Sequence, residues 1–405
     1  MAKPLHILAA GLIWPPETFI ERLLRGLLAR GFQITVASIK RPAADWFNMP
    51  GFHWLPVYSW EGHFVVRIFR LGWWVLKAWL GSRGDMQKIA VQINAIPNHT
   101  QRTRLWYRLL PFLGKGWDVI YFPWNSAAID HLPLFDLGMP VVISCRGSQI
   151  NIGPHDPERV DLADGLRQTF ARATAVHCVS QNILQEAMKF GLDPQKTHLI
   201  HPAVDINFFQ PRMESRPSRS TFHVLTTGSL IWRKGLDYAL IAIRKLADQG
   251  IPVRFEIIGS GPDESQIHFT IHDLGLQEHV HLSGKLSQEQ IKEKLQRIDV
   301  FLLSSLSEGI SNAVLEAMSC GIPVVTTDCG GVREAVTDGV EGFVVPLRDP
   351  AAIASALQSL WQSPSLCEQM GRAGGKKIER NFNLDGQIQQ WVDLYQELQK
   401  TGGLQ

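Results

Sequence analysis

Five cysteines in 405 residues, none in a Cys-x-x-Cys pair, provide neither a disulfide framework nor a structural zinc site. Cys145, Cys178, Cys320, Cys329 and Cys367 are scattered, which points to a reducing compartment. No Asp-x-Asp metal motif occurs. No window reaches the roughly 18 uninterrupted apolar residues of a spanning helix. The apolar start MAKPLHILAAGLIW passes into Pro15-Pro16-Glu17 without a small-residue cleavage pattern, and a buried first strand is expected there. A formal net charge of +2 offers nucleic acid no bulk attraction. Gly11 stands alone after that first run, so no Gly-x-Gly-x-x-Gly turn supports a dinucleotide-dependent dehydrogenase.

What is present is a chain of globular composition, 45% hydrophobic and 19% charged. Its length fits two domains of roughly 200 residues each. Strand-like runs at 5–10, 34–37, 119–122, 141–144 and 175–179 alternate with helical stretches. The pattern resumes at 222–226, 254–258, 300–303, 324–327 and 342–345. This alternation predicts an α/β protein with two doubly wound parallel sheets, each covered on both faces. The polar, Pro-punctuated segment 211–220 reads as the linker between one doubly wound domain (1–210) and a second (221–382). The tail 383–405 is helical, and its side with Ile388, Trp391, Val392, Leu394, Tyr395 and Leu398 fits packing back on the first half. Ligands of such sheets gather at the carboxyl ends of the strands, and two facing domains make the cleft between them the expected site.

The most informative stretch is SLSEGISNAVLEAMSCGIPVV, residues 305 to 325. It reads as a strand end, a turn through Glu308, Gly309, Ile310 and Ser311, a helix from Asn312, and a second strand after Gly321. Glu316 follows Glu308 by eight positions, and helical side chains lean back towards the N-terminus, so both acids can face one pocket. Free N–H groups and the dipole at the helix start form a phosphate cradle. A cradle flanked by two acids suits a ligand with phosphates and hydroxyls, such as a nucleotide-sugar. A second turn, Gly228-Ser229-Leu230-Ile231-Trp232-Arg233-Lys234-Gly235, follows the strand run at 222–226 and offers two cations to an anion.

The order GSLIWRKG, IIGSGP (257–262), HLSGKLS (281–287), SEGISNAVLEAMSCGIPVV and CGGVREAVTDGVEGFVVP (329–346) resembles the retaining glycosyltransferases of family four. The resemblance covers the whole second half. HCVSQNILQEAMKFG (177–191) and HPAVDINFFQP (201–211) extend it more loosely into the first half, and PETFIERLLRGLLARGFQITV (16–36) is similar to transferases that build bacterial exopolysaccharide. It implies the GT-B fold and sugar transfer, with retention and without metal, from a UDP- or GDP-linked donor to a glycan or lipid-linked acceptor. No other cofactor is implied. On the resemblance, Glu308 lies against the donor sugar hydroxyls and Glu316 binds the ribose. Lys234, Arg233 and the N–H groups of Gly309, Ile310, Ser311 and Asn312 take the diphosphate. Gly259, Ser260, Gly261, Lys285 and Leu286 border the base, beside the turn at Gly228 and Ser229.

Three departures stand out. Ser229 occupies the place of a usual Arg, the first turn reads Trp14-Pro15-Pro16-Glu17 rather than paired glycines, and Arg146-Gly147-Ser148 replaces a frequent His-Gly. A nucleotide-sugar epimerase and a non-catalytic nucleotide-sugar or glycan-binding protein are the alternative readings. Glu334 and Glu341 read as cap and turn acids, and His201 as a residue that could border the cleft. Six tryptophans lie within 46–79, and nine basic residues face the single acid Asp85 between 62 and 117. Two readings of 46–117 stay open: a peripheral contact with the inner face of the membrane, or a core helix with a solvated basic face. A cytoplasmic location is expected.

Overall fold

The structure, a computed structural model, describes residues 3–61, 63–211 and 220–401. The expected linker at 211–220 lies outside them except at its two end residues. The first sheet contains β1 (His6–Ala9), β2 (Gln33–Ser38), β3 (Phe52–Pro56), β4 (Val119–Phe122), β5 (Val141–Cys145), β6 (Ala175–Cys178) and β7 (Thr197–Leu199). The second contains β8 (Phe222–Thr227), β9 (Val253–Ile258), β10 (Val280–Gly284), β11 (Val300–Leu303), β12 (Val324–Thr327) and β13 (Gly342–Val345). The strand orders are β3-β2-β1-β4-β5-β6-β7 and β10-β9-β8-β11-β12-β13, parallel at every pairing. Each sheet is doubly wound. The order reverses between β1 and β4 in one and between β8 and β11 in the other, and the crevice outside the carboxyl ends at such a point is where open α/β sheets bind ligands.

The central strands VIYF, VVISC, VFLL and VVTT are wholly buried, because helices cover both faces of a parallel sheet. Successive residues therefore feed opposite cores. Val224, Val300 and Leu302 pack with Leu240 and Ile243 of the helix Leu236–Asp248, while Leu225, Phe301 and Leu303 pack with Val314 and Met318 of the helix Asn312–Ser319. Three strands had no counterpart among the apolar runs of the sequence: β3, β7 and β10. All three are edge strands, with the polar-bearing sequences FHWLP, THL and VHLSG. An edge strand has a neighbour on one side only and keeps polar positions, so its apolar run is broken.

Two compact units result. One takes Met1–Val179, Leu184–Ile200 and Ile388–Gln405, the other Ser180–Ile183 and His201–Gln387. The connector after His201 packs with the second unit: Val204 N–H donates to the Phe382 carbonyl at 2.9 Å, and Phe209 is buried in that core. The last helix, Leu384–Thr401, belongs from Ile388 onward to the first unit. There the Trp391 ring lies 5.1 Å from Tyr121 and 4.6 Å from His177, and Tyr395 lies 6.1 Å from Phe32.

Also in the first unit, the helix Phe64–Gly81 leaves large apolar side chains in solvent, with Phe69 76%, Trp73 64% and Leu80 69% exposed. It is not a core helix. No described helix is long and apolar enough to cross a membrane.

Candidate active site

The turns after β8 and β11 carry the groups singled out in the sequence, and the adjacency of these two strands brings them together. Lys234 Nζ lies 2.7 Å from Glu308 Oε1, and Arg233 Nη1 lies 3.3 Å from Oε2. Ser305 Oγ donates to Oε1 at 2.9 Å. Backbone stitching fixes the pair: Leu306 N–H donates to the Arg233 carbonyl (2.8 Å), Ser304 Oγ to the Lys234 carbonyl (2.9 Å), and Arg233 Nη1 to the Ser307 carbonyl (2.8 Å). Gly235 closes the first turn at φ +58°, and a Cβ there would stand 2.3 Å from the Ser304 carbonyl oxygen. The two turns approach too closely for any other residue.

Each of the three charged side chains is less than a fifth exposed. Burial alone would raise the Glu308 carboxyl. The Lys234 ammonium and the Arg233 guanidinium outweigh it and hold the group below its ordinary value of 4.5. Two cations on one carboxylate leave a surplus of one positive charge. The linkage has a definite sign. A depressed carboxylate stabilises the fold fully above its ordinary value and loses that contribution as pH falls through the lowered one. The stability difference between wild type and Glu308→Gln is therefore expected to narrow below pH 4.5, as read from urea midpoints across the acid range.

Beside this triad the helix Asn312–Ser319 begins without a side-chain cap on Ser311. The N–H groups of Gly309, Ile310, Ser311 and Asn312 have no hydrogen-bond partner among the described residues, and Asn312 Oδ1 is buried without one. Such a row of donors at a helix start binds anions. The helix ends in a Schellman turn, with Ile322 N–H on the Ala317 carbonyl (3.0 Å) and Gly321 N–H on Met318 (2.9 Å). Glu316 is part-exposed on this helix, and its charge, after burial, helps push the Cys320 thiol up to about 12.

Gly259, Ser260 and Gly261 follow β9 and lock onto the β8 turn. The Leu230 N–H donates to the Ser260 carbonyl at 3.0 Å, and a Cβ on Gly259 would fall 1.8 Å from the Gly228 carbonyl oxygen. Gly228 itself packs on Lys234, and Ser229 is exposed. Lys285 and Leu286 follow the edge strand β10, tied to this cluster through Gly259 N–H on the Gly284 carbonyl (2.8 Å). A cavity of about 540 Å³ lies elsewhere, at the amino ends of β8 to β10, between His223, Arg254 and His281. The free N–H row and the switch point favour the carboxyl ends, where Gly228 and Lys234 line only a small cavity.

Glu334 acts as a cap. Burial would raise it, but the His201 imidazole at 2.9 Å and the N–H groups of Gln181 and Asn182 keep it low. Glu341 accepts from Thr337 N–H at 2.7 Å within its turn. Ser305 was not singled out in the sequence; its place at the end of β11, three residues before Glu308, is the only signal it carried.

Comparison with known proteins places these features in a family. The profile described as "Glycosyltransferase Family 4" matches residues 16–208, and that described as "Glycosyl transferases group 1" matches 212–377. WcaL of Escherichia coli K12, named for colanic acid biosynthesis, is 32% identical over 225 residues, 54% of this chain and 55% of its own length. The amylovoran biosynthesis glycosyltransferase AmsK of Erwinia amylovora is 33% identical over 231 residues, 55% of this chain and 53% of its own. The chain thus spans about half the length of the curated relatives it matches. Among solved structures, Anabaena HepE in complex with UDP-glucose superposes with a TM-score of 0.73 at 18% identity, over 97% of this chain and all of that one. Sucrose-phosphate synthase from Thermosynechococcus elongatus gives 0.73 at 16%, over 98% of this chain and all of its own. At such identities the likeness shows the fold, two Rossmann-like units of GT-B type. With one profile on each half, the chain belongs to the family 4 glycosyltransferases, its second half being their group 1 domain.

Proposed function

We propose that this protein transfers a sugar, with retention and without a metal, from a nucleoside-diphosphate sugar to a glycan or lipid-linked acceptor in exopolysaccharide or cell-surface glycan biosynthesis. The observation that carries this reading is the row of free N–H groups from Gly309 to Asn312 beside Lys234 and Arg233. The row and the surplus positive charge supply what a departing diphosphate needs: donors and cations already in place where charge develops. Glu308 orients both cations and presents its carboxylate to the donor sugar hydroxyls, while Glu316 takes the ribose. Asn312 Oδ1 is an acceptor for a further hydroxyl. The bond from the anomeric carbon to the diphosphate breaks as the acceptor oxygen approaches the same face. The acceptor proton passes to the leaving diphosphate oxygen, so no side chain has to act as nucleophile. The names of WcaL and AmsK support a role in polysaccharide assembly, and HepE's UDP-glucose supports a uridine donor, with GDP as the other candidate. Incubation of the purified chain with UDP- and GDP-sugars and a simple glycoside acceptor tests the proposal. Product that keeps the donor's anomeric configuration is expected. Saturable donor binding without turnover would instead indicate a binding protein.

The helix Phe64–Gly81 supports a cytoplasmic enzyme held at the membrane face. Its exposed apolar side chains sit among cations that stack on aromatic rings, Arg70 over Tyr58 at 4.0 Å and Arg83 over Trp79 at 3.8 Å. No acid lies within the helix. Rings and basic groups together fit the interface of an anionic bilayer, where a lipid-linked acceptor would be reached. Sedimentation with anionic vesicles at low salt is expected to capture the wild type. Phe69→Asp with Trp73→Asp is expected to weaken capture at least about tenfold, since each buried ring contributes about 1.5–3 kcal/mol. Equal capture of both proteins would remove the helix from this role.

A further inference from the structure

We infer that Arg146, seated on Phe19 beside Trp124, recognises an anionic group carried by the acceptor. The switch point of the first sheet lies between β1 and β4, as that of the second lies between β8 and β11. In the second unit this point holds Lys234 and Glu308. In the first, the chain leaving β4 runs through Pro123 and Trp124, that leaving β5 through Arg146, and Phe19 opens the helix Thr18–Ala29 that follows β1. Three chemically distinctive side chains thus converge at the carboxyl ends of three adjacent strands. The Arg146 guanidinium carbon lies 4.4 Å from the centre of the Phe19 ring, and Trp124 meets the same ring edge-on at 5.9 Å and 79°. Nε donates to the Pro123 carbonyl at 3.3 Å.

The ring and the carbonyl fix the plane of the guanidinium. Its two terminal nitrogens meet no protein acceptor among the described residues. Several other arginines of this unit are ion-paired, Arg25 with Glu21 and Asp45, Arg108 with Asp130, and Arg167 with Asp164, while Arg70 and Arg83 stack on rings out on the exposed helix Phe64–Gly81 and its neighbours. Arg146 has no carboxylate partner among the described residues, yet is only partly exposed, as are Phe19 and Trp124. A planar fork held with its outer N–H groups free matches the paired oxygens of a carboxylate or phosphate. The flanking indole offers an apolar face to the sugar that bears the group. The inference rests on the proposed function, which assigns the donor to the second unit and leaves the first for the acceptor. Two sources share this chemistry: an acidic sugar in the glycan, and the diphosphate of a lipid-linked acceptor.

The test uses the full chain saturated with whichever of UDP or GDP raises its melting temperature, titrated with methyl glucoside, glucuronate and glucose 1-phosphate. Wild type is expected to bind at least one of the two anions at least about tenfold more tightly than methyl glucoside, about 1.4 kcal/mol. Preference for glucuronate identifies an acidic sugar, and preference for glucose 1-phosphate a diphosphate next to the sugar. In Arg146→Gln the preference is expected to vanish while nucleotide stabilisation persists, which also shows that the variant folds. Arg146→Lys, which keeps the charge without the fork, is expected to fall between. Equal binding of all three probes by wild type, or a preference that survives in Arg146→Gln, would overturn the inference. No stabilisation by either nucleotide would instead overturn the donor reading, and with it the acceptor role of the first unit.

Discussion

Lys234→Ala is expected to lower turnover at least about a hundredfold, about 2.7 kcal/mol of transition-state stabilisation. The ammonium is less than a fifth exposed and lies 2.7 Å from Glu308, next to the free N–H row at the start of the helix Asn312–Ser319. In that setting it is held in place before the donor arrives, so no reorganisation opposes its action on a departing diphosphate. Its loss removes the surplus positive charge and leaves Glu308 balanced by Arg233 alone. The fold is expected to survive, because Arg233 at 3.3 Å and Ser305 at 2.9 Å still satisfy the carboxylate. Initial rates at saturating donor, with melting temperature as the control, check this. A variant with the wild-type rate would remove Lys234 from the site.

Trp391→Ala is expected to destabilise the first unit by about 3–5 kcal/mol, the usual cost of deleting a fully buried aromatic side chain. The indole is 1% exposed. It touches Tyr121 of β4 and His177 of β6 and stacks on Tyr395 at 5.7 Å. These rings join the last helix to the sheet that begins the chain. Urea midpoints of wild type and variant measure the effect, and a loss under about 1 kcal/mol would mean that the helix contributes little to that core.

The sequence made much of this arrangement legible, for reasons that individual residues show. Largely apolar, strand-like runs marked β4, β5, β11 and β12 because these strands are buried on both faces, whereas the edge strands β3, β7 and β10 were hidden by the polar residues in FHWLP, THL and VHLSG. The turn at Gly309 and the helix from Asn312 could be read from spacing. The ion pair between Lys234 and Glu308 could not, because 74 residues separate them and only the pairing of β8 with β11 brings them together. Glu334 could be read as a capping acid, but its partners Gln181 and Asn182 lie more than 150 positions away. The outward-facing rings of the helix Phe64–Gly81 have the same composition as a buried helix, so the sequence left both readings open.

The turns after β8 and β11 are expected to bind a nucleoside diphosphate. Thermal unfolding of the wild type and of Lys234→Ala with UDP, GDP and ADP tests this most directly. At least one nucleotide should raise the wild-type melting temperature saturably, equivalent to about 2.7 kcal/mol at a hundred times its Kd, and Lys234→Ala should lose most of that shift. No shift with any of the three, or the same shift in both proteins, would mean that these turns do not hold a nucleoside diphosphate through Lys234.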